Sequence, residues 1–290
     1  MRSASLPWYD LDEVRPAHDR LWSAVAKHLR AAGVPHVPGA LNRAHRYETG
    51  WTEPRLLLSQ ACGYDTVLQA PPPVQLVSTP HFDFAGCDGP NYRSFVVVRE
   101  RAAAQDLEGL RGSRCVINTE TSHSGMNGLR ALIAPLHEDG RFFASVAVSG
   151  AHETSVDMVR SGAADVAAVD CITHGLLRRH RPQALVGTRV IAQTAPAPAP
   201  PFVTAASTSH TVVGALRAAL GSAIEGLEAP GAAALGLRGL SHLSQADYEP
   251  IAALARQADA SGYHELGGTP VAAAQSAPRG TEDQEQAESA

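Results

Sequence analysis

The stretch "INTETSHSGMNGLRALI", residues 117–133, decides how this chain is read. It runs from an apolar, β-branched segment into text of helical period, with hydroxyls, a histidine and a glycine crowded at the handover. In an α/β sheet such a handover lies at the carboxyl end of a strand, where ligands bind and the next helix presents unpaired N–H groups. Small hydroxyl residues have two uses there. They cap the helix, or they hold an anionic group with hydroxyl and backbone donors together. Thr121, Ser122 and Ser124 taken alone read as caps at least as readily as ligand groups, so their neighbours must decide.

Three further junctions carry the same polar density: "SQACGY" (59–64), "SGAHETS" (149–155) and "VDCITH" (169–174). Each follows an apolar run with strand character: "RLLLSQ", "RFFASVAVSG" and "DVAAVD". "VQLVSTPHF" (74–82), "YRSFVVVRE" (92–100), "SRCVIN" (113–118) and "ALVGTRVIAQT" (184–194) are of the same kind. Between them lies text of helical period: "RPAHDRLWSAVAKHLRAAGV" (15–34), "AAAQDLEGLRG" (102–112), "GLRALIAPLHEDG" (128–140), "HETSVDMVRSGAA" (152–164) and "CITHGLLRRH" (171–180). In the first of these, Leu21, Val25 and Leu29 share one face and Gly33 marks the stop. Strands alternating with helices of this length give an α/β chain with largely parallel sheets. "LPWYDLDEV" (6–14) is too brief to separate a strand from an extended loop.

The run "APAPAPPF" (195–202) breaks the regularity and, being extended and stiff, suits an interdomain crossover. Beyond it "FVTAAS", "SHTVVGALRAALGSAI" and "YEPIAALARQADASGY" predict one strand and two helices. The end, "GGTPVAAAQSAPRGTEDQEQAESA" (267–290), is polar, free of aromatics and punctuated by Gly and Pro, which predicts a disordered tail over 269–290.

With 290 residues, 44% of them hydrophobic, the chain can bury a substantial core. A net charge of −5, with no basic stripe, excludes nucleic acid as an expected partner. No apolar run approaches the roughly 18 residues of a membrane span, and the N-terminus lacks the apolar core of a secretory signal. A cytoplasmic protein without membrane insertion is therefore expected, or a periplasmic one if a leader has been removed. The four cysteines, Cys62, Cys87, Cys115 and Cys171, contain no CxxC pair and read as free thiols. His81, Asp83 and Cys87, and likewise Asp170, Cys171 and His174, are close in sequence but lack metal-ligand spacing, so neither metal nor cofactor is expected.

The text "LRGSRCVINTETSHSGMNGLRAL…FASVAVSGAHETSVDMVRSGAADVAAVDCITH" resembles the phosphate/phosphite/phosphonate substrate-binding proteins of ABC importers. It shares their order of elements: a strand, a Ser/Thr-Ser-Gly loop opening a helix, a strand ending in Gly-x-His, a helix, and a second strand ending in Asp. The likeness spans roughly residues 75 to 205 and is looser outside. It implies an α/β, two-lobed type II periplasmic-binding-protein-like fold with a ligand cleft between the lobes. Lobe 1 would take residues 1–96 and 200–268, and lobe 2 residues 97–199, with crossings near Phe95–Val98 and Ala195–Phe202. The resemblance carries the anion loop onto Thr121, Ser122, His123 and Ser124, the cleft histidine onto His152, the following acid onto Asp170 and the aromatic before the first crossing onto Tyr92. Tyr9, Ser59, Gln60 and Tyr64 stand at strand ends expected to face the same cleft.

Two departures bear on function. The returning segment "TAPAPAPPF" carries no acid, where relatives that bind aminoalkylphosphonates meet the ligand's amine, and this counts against an amine-bearing ligand. His123 stands where the family has a small hydroxyl residue, and there it is either an extra donor or acid, or a bystander. The expected function is binding of a small phosphate-like, phosphonate-like or carboxylate anion, with an ABC permease as partner only if the chain is exported. A cytoplasmic lyase or dehydratase on the same fold, with His123, His152 and Asp170 as its catalytic candidates and Cys62 beside them, is the alternative reading, and an intracellular ligand sensor is another.

Overall fold

In the computed structural model, which describes residues 2–44, 51, 53–68, 73–267 and 269–271, the apolar runs become strands covered on both faces. β1 (Ser3–Ala4) leads to α1 (Arg15–Ala31), which starts on Pro16. His18, Leu21, Trp22, Val25, Ala26 and Leu29 recur at three- and four-residue steps and are all buried. The helix ends in a Schellman motif: the N–H of Val34 reaches the carbonyl of Leu29, and that of Gly33 the carbonyl of Arg30, each at 3.0 Å. Gly33 takes the left-handed conformation this requires, at φ +76°.

Next come β2 (Leu56–Gln60), α2 (Gly63–Leu68), β3 (Val74–Phe82), β4 (Asn91–Tyr92), β5 (Ser94–Arg99) and β6 (Arg114–Ile117). α3 (Gly128–Ile133), β7 (Ser145–Val148), α4 (His152–Ser161), β8 (Val166–Asp170), α5 (Cys171–His180) and β9 (Thr188–Gln193) complete the central region. The chain returns through β10 (Ala197–Pro198) into β11 (Phe202–Ala205), α6 (His210–Glu225), α7 (Ala229–Leu235), β12 (Leu237–Ser241), α8 (Glu249–Ala260) and β13 (Thr269–Val271).

Two sheets define two lobes. The first has the order β1-β2-β11-β3-β12 and the second β13-β7-β6-β8-β5-β9. A two-stranded ribbon, β4 against β10, joins them, with Tyr92 opposite Ala197 and Asn91 opposite Pro198. In the second sheet β13, β7, β6 and β8 are parallel, whereas β5 runs antiparallel to both β8 and β9. The first sheet corrects the expectation of largely parallel pairing. Because β11 brings the chain back from the other lobe, it runs antiparallel to both β2 and β3.

The crossing also differs from expectation. Phe95–Val98 is paired along its length with β8 and β9 and lies inside the second lobe, so the outgoing crossing is Asn91–Tyr92, a few residues earlier. The return falls within the Pro-rich run, where alternation leaves Ala199 able to donate its N–H to the Pro90 carbonyl at 2.8 Å. "AAAQDLEGLRG" does not make a helix beyond one short turn at Glu108–Leu110. Asp106 Oδ1 captures the N–H of Gly109 at 2.9 Å, a local bond that competes with the helical ladder.

The C-terminal region divides between the lobes, contrary to the assignment of all of residues 200–268 to lobe 1. Ala258, Tyr263 and Leu266 enter the core of the second lobe. The buried Arg130 of α3 holds them there, donating to Asp259 Oδ1 and to the carbonyls of Ala255, Tyr263 and His264. A buried guanidinium without such acceptors would be costly. Thr269–Val271, placed in the expected tail, instead extends the second sheet beside β7. Residues 272–290 lie outside the described residues. α7 and β12 were not foreseen; Gly236, left-handed at φ +66°, separates them.

Tyr248 pins this arrangement from full burial: its hydroxyl meets Thr79 Oγ1 at 2.7 Å and donates to the Ala199 carbonyl at 3.0 Å. Tyr248→Phe leaves both partners buried and should lower stability by about 1–3 kcal/mol in urea unfolding. An unchanged midpoint would contradict this role.

Candidate functional site

A cavity of about 280 Å³ opens between the lobes. The second lobe contributes Asn118, Thr119, Thr121, Ser122 and Ser124 after β6, Gly150–Glu153 after β7, and Asp170 and Thr173 after β8. The first contributes Trp8, Tyr9, Asp10, Cys62 and Asp65, and Tyr92 stands on the crossing.

The opening stretch folds here as a π turn, His123–Asn127, ahead of α3. Ser122 is its N-cap, in extended conformation, with Oγ accepting the Gly125 N–H at 3.0 Å. The wider turn sends the Asn127 N–H to the Ser122 carbonyl, five residues back, at 2.9 Å. Gly125 is required by close approach, because a Cβ there would lie 1.9 Å from Asn118 Oδ1. The hydroxyls thus share capping and site-building. Ser122 caps and also lines the cavity, its Oγ accepting from Gly125 with its proton left to donate, whereas Ser124 meets His152 Nε2 at 2.8 Å.

His152 opens α4 and is aimed by a second partner: Asp170 Oδ2 lies 3.3 Å from the same Nε2. Asp170 is only 3% exposed and caps α5, accepting from the Thr173 N–H and hydroxyl, each at 2.7 Å. Burial lowers the pKa of His152, with Asp170 and the Ala168 backbone opposing. Tyr92 is hydrogen-bonded to Ser124; burial, then negative charge on Cys62 and Asp170, holds its phenol well above the usual range. Tyr9 adopts a left-handed backbone at φ +65° and packs edge-on against Phe82. Its phenol is likewise raised, by burial first and then by Asp170. Asp10 is pulled the other way. Burial would raise it, but bonds from His18 and Arg43 prevail and hold it at about 2.

The lining carboxylates come from Asp10, Asp65, Glu153 and Asp170, and no Lys or Arg lines the cavity among the described residues.

Of the candidate residues, Tyr9, Tyr92, Thr121, Ser122, Ser124, His152 and Asp170 line this cavity, and Cys62 lies with them. Ser59, Gln60, Tyr64 and His123 do not. The Ser59 hydroxyl faces Ser5 Oγ at 2.9 Å, and Gln60 lines a separate small void with His18 and Phe82. Gly63 lies so tightly on Tyr248 and Ile251 that α2 turns Tyr64 toward Arg130 and Asp259, in a different pocket. His123 is 3% exposed beneath the loop, with Nδ1 3.1 Å from Asn127 Nδ2 and its N–H donated to Cys62 Sγ at 3.4 Å. Burial lowers its pKa to about 4, so at neutral pH it is an uncharged packing residue rather than a cavity donor. Trp8, Asp10, Asn118, Thr119, Glu153 and Thr173 were not singled out, and their one sequence signal is adjacency to residues that were.

Among the described residues no group of three or more His, Cys, Asp or Glu side chains is arranged for a metal ion. No helix among them is long and apolar enough to cross a membrane.

Two α/β lobes joined by a short ribbon around a polar cleft make up a type II periplasmic-binding fold. The model of the family "ABC transporter, phosphonate, periplasmic substrate-binding protein" matches residues 82–249, more than half of the chain, and the chain belongs to that family. Solved structures show the same fold at low identity. A binding-protein component of a phosphonate ABC transporter from Pseudomonas aeruginosa has a TM-score of 0.70 at 14% identity, covering 90% of this chain and 87% of its own. PhnD1 of Prochlorococcus marinus, solved with methylphosphonate, has a TM-score of 0.68 at 17% identity, covering 89% and 98%. XAC2383 of Xanthomonas citri, solved with chloride, has a TM-score of 0.67 at 15% identity, covering 91% and 99%. No curated protein matches.

Gly125→Ala should cost about 1–3 kcal/mol through overpacking, read by thermal unfolding. A stability equal to that of the parent would show that the loop adapts freely. His123 gives a pH signature. Its folded pKa of about 4 lies below the ordinary 6.5, so the unfolded chain takes up the proton first as pH falls. Stability should decline between those values, by up to about 3 kcal/mol from this residue. His152 is shifted in the same direction and adds to the decline. Urea midpoints at about pH 7 and about pH 4.5 should therefore differ less in His123→Gln than in the parent.

Proposed function

We propose that the interlobe cavity binds a small tetrahedral oxyanion of the phosphonate or phosphate kind in its singly protonated form. The observation that carries this is the convergence of Ser122, Ser124, His152 and Asp170 in one cavity, with Ser124 and Asp170 on the same imidazole nitrogen. Two first-turn N–H groups are occupied by Cys62 Sγ and Ser122 Oγ, so hydroxyls carry the recognition. Thr121, Ser122 and Ser124 supply donors for the charged oxygens. Asp170 can only accept, so the oxygen facing it must bring a proton. A dianion beside that buried carboxylate, with no lining Lys or Arg, would be repelled, and a simple carboxylate anion has no proton to offer.

The geometry favours binding over catalysis by these groups. A nucleophile–histidine–acid relay places its hydroxyl and its acid on opposite ring nitrogens, whereas Ser124 and Asp170 share Nε2. His123, a catalytic candidate from sequence, is buried away from the cavity.

Calorimetric titration with methylphosphonate, phosphite and phosphate tests the reading. Binding of at least one is expected, weakened about 10- to 100-fold by Ser122→Ala or Ser124→Ala, the equivalent of one charge-assisted hydrogen bond. Absence of heat with all three would overturn it. Above the ligand's second ionisation the affinity should fall about tenfold per pH unit. Asp170→Asn should blunt that fall, because the amide can donate where the carboxylate cannot.

A further inference from the structure

Cys87 and Cys171 lie 84 residues apart in sequence, yet their Sγ atoms are 3.4 Å apart. Neither lines the cavity. Cys87 sits in the turn between β3 and β4, on the first-lobe side of the crossing, and is partly exposed. Cys171 is the first residue of α5 in the second lobe, directly after Asp170, and is buried.

Close packing imposes the approach. Gly86 is left-handed at φ +93°, and a Cβ on it would come 2.9 Å from the Cβ of Cys171. The Phe84 ring lies where side chains on Gly175 of α5 and Gly236 of the first lobe would stand, 2.3 and 2.4 Å from their Cβ positions. Asp88 and Asn91 pair through both backbone N–H groups at 2.9 Å and close the turn. Cys171 is fixed in turn by its N–H bond to the Arg93 carbonyl at 2.9 Å. Gly86 and Gly236 also serve their left-handed backbones, and together with Gly175 they permit a first-lobe loop seated against a second-lobe helix with two thiols face to face.

We propose that Cys87 and Cys171 are a redox-modification site, forming a reversible disulfide that staples the β3–β4 loop to the start of α5 and so ties the two lobes beside the cleft. An S–S bond of ~2.04 Å needs the sulfurs to close by about 1.4 Å. The oxidant is a small-molecule disulfide. The partly exposed Cys87 thiolate attacks one of its sulfurs, giving a mixed disulfide and releasing one small thiolate. The buried Cys171 then attacks Cys87 Sγ, its proton passing to the second small thiolate as that group is expelled. Two protein thiols have together lost two electrons and two protons, and one small disulfide has become two small thiols. The hydrogen bond from the adjoining Cys87, and then burial, push the Cys171 thiol up, so it does not make the first attack and reacts only in the intramolecular step, where Cys87 Sγ is already beside it. The tie would hold the cleft nearer its closed form, because α5 carries Asp170 and Thr173 at the end being stapled.

The test uses the full reduced chain without ligand, so its result is independent of the oxyanion reading. The protein is equilibrated with oxidised glutathione, free thiols are counted under denaturing conditions, and peptides are mapped without reduction. The four thiols of the sequence should fall to two, with Cys87 joined to Cys171 and full recovery on adding dithiothreitol. Cys87→Ser and Cys171→Ser should each abolish the bridge, with Cys171→Ala replacing the latter if serine at the buried position prevents folding. Hydrogen exchange at Asn91–Tyr92 and at the first turn of α5 should slow in the oxidised protein. Four persisting thiols, a stable mixed disulfide at Cys87 alone, or a bridge to Cys62 or Cys115 would overturn the site. Unchanged exchange in a bridged protein would overturn the tie between the lobes.

Discussion

The buried carboxylate of Asp170 is the constraint on which the rest of the site depends. At 3% exposure it must be satisfied by the protein, because an isolated charge withdrawn from water is too costly to keep. Thr173 satisfies it through its N–H and hydroxyl, which fixes where α5 begins. His152 Nε2 approaches the same Oδ2 that accepts the Thr173 hydroxyl, which fixes the imidazole at the head of α4. That imidazole in turn orients Ser124 on the loop after β6. Three strand ends, from β6, β7 and β8, are thereby locked into one geometry by a single acid. The parallel pairing of these strands brings their carboxyl ends to the same edge, without which no such chain of contacts could form.

The same constraint explains what could be read in the sequence. Residues at the carboxyl ends of β6, β7 and β8 were legible, because strand period and Gly-marked turns place them at one sheet edge whatever the packing. Residues on the first lobe were less so. Ser59 and Gln60 also stand at a strand end, but β1 and β11 flank that strand and occupy its edges, so Ser59 turns to Ser5 and the Gln60 carbonyl accepts from Trp51 Nε1. Tyr64 is turned away by contact of Gly63 with Ile251, nearly two hundred residues further on, which no local pattern could reveal. His123 was conspicuous as a polar residue in a polar loop, yet the π turn rotates it inward. A register set by Asn127 and Cys62 decided its fate. Long-range packing, not propensity, separates the residues that converge from those that do not.

Charge divides the cavity unevenly. Asp10 and Glu153 line it but are already engaged, the first by His18, Arg15 and Arg43 and the second by Arg181. Asp170 is engaged only by neutral donors and a histidine whose protonation burial disfavours, so it sets the electrostatic character of the inner wall. The hydroxyls opposite are uncommitted in sign, because each can donate or accept. On the proposed reading such a wall would select by protonation state rather than by net charge, with Asp170 as the discriminating residue.

α5 connects that wall to the relation between the lobes. Its N-terminus bears Asp170 as cap, and its C-terminus reaches the first lobe, where His180 Nε2 lies 2.9 Å from the Ala234 carbonyl and Arg179 bonds the Ala233 carbonyl and covers the Phe84 ring. Arg181, just beyond, holds Glu13 of the first lobe and Glu153 of the second. These contacts are partly exposed and each is weak, so together they bias closure without enforcing it. The ribbon of β4 and β10 is only two residues a side, and the chain crosses between the lobes a third time through α8. A ligand that touches Tyr9 and Ser124 together gains contacts only when the lobes meet, and that difference in affinity is what can shift such an equilibrium. One ten-residue helix thus carries the Asp170 cap at one end and the grip on α7 at the other, so any shift of its axis acts on both.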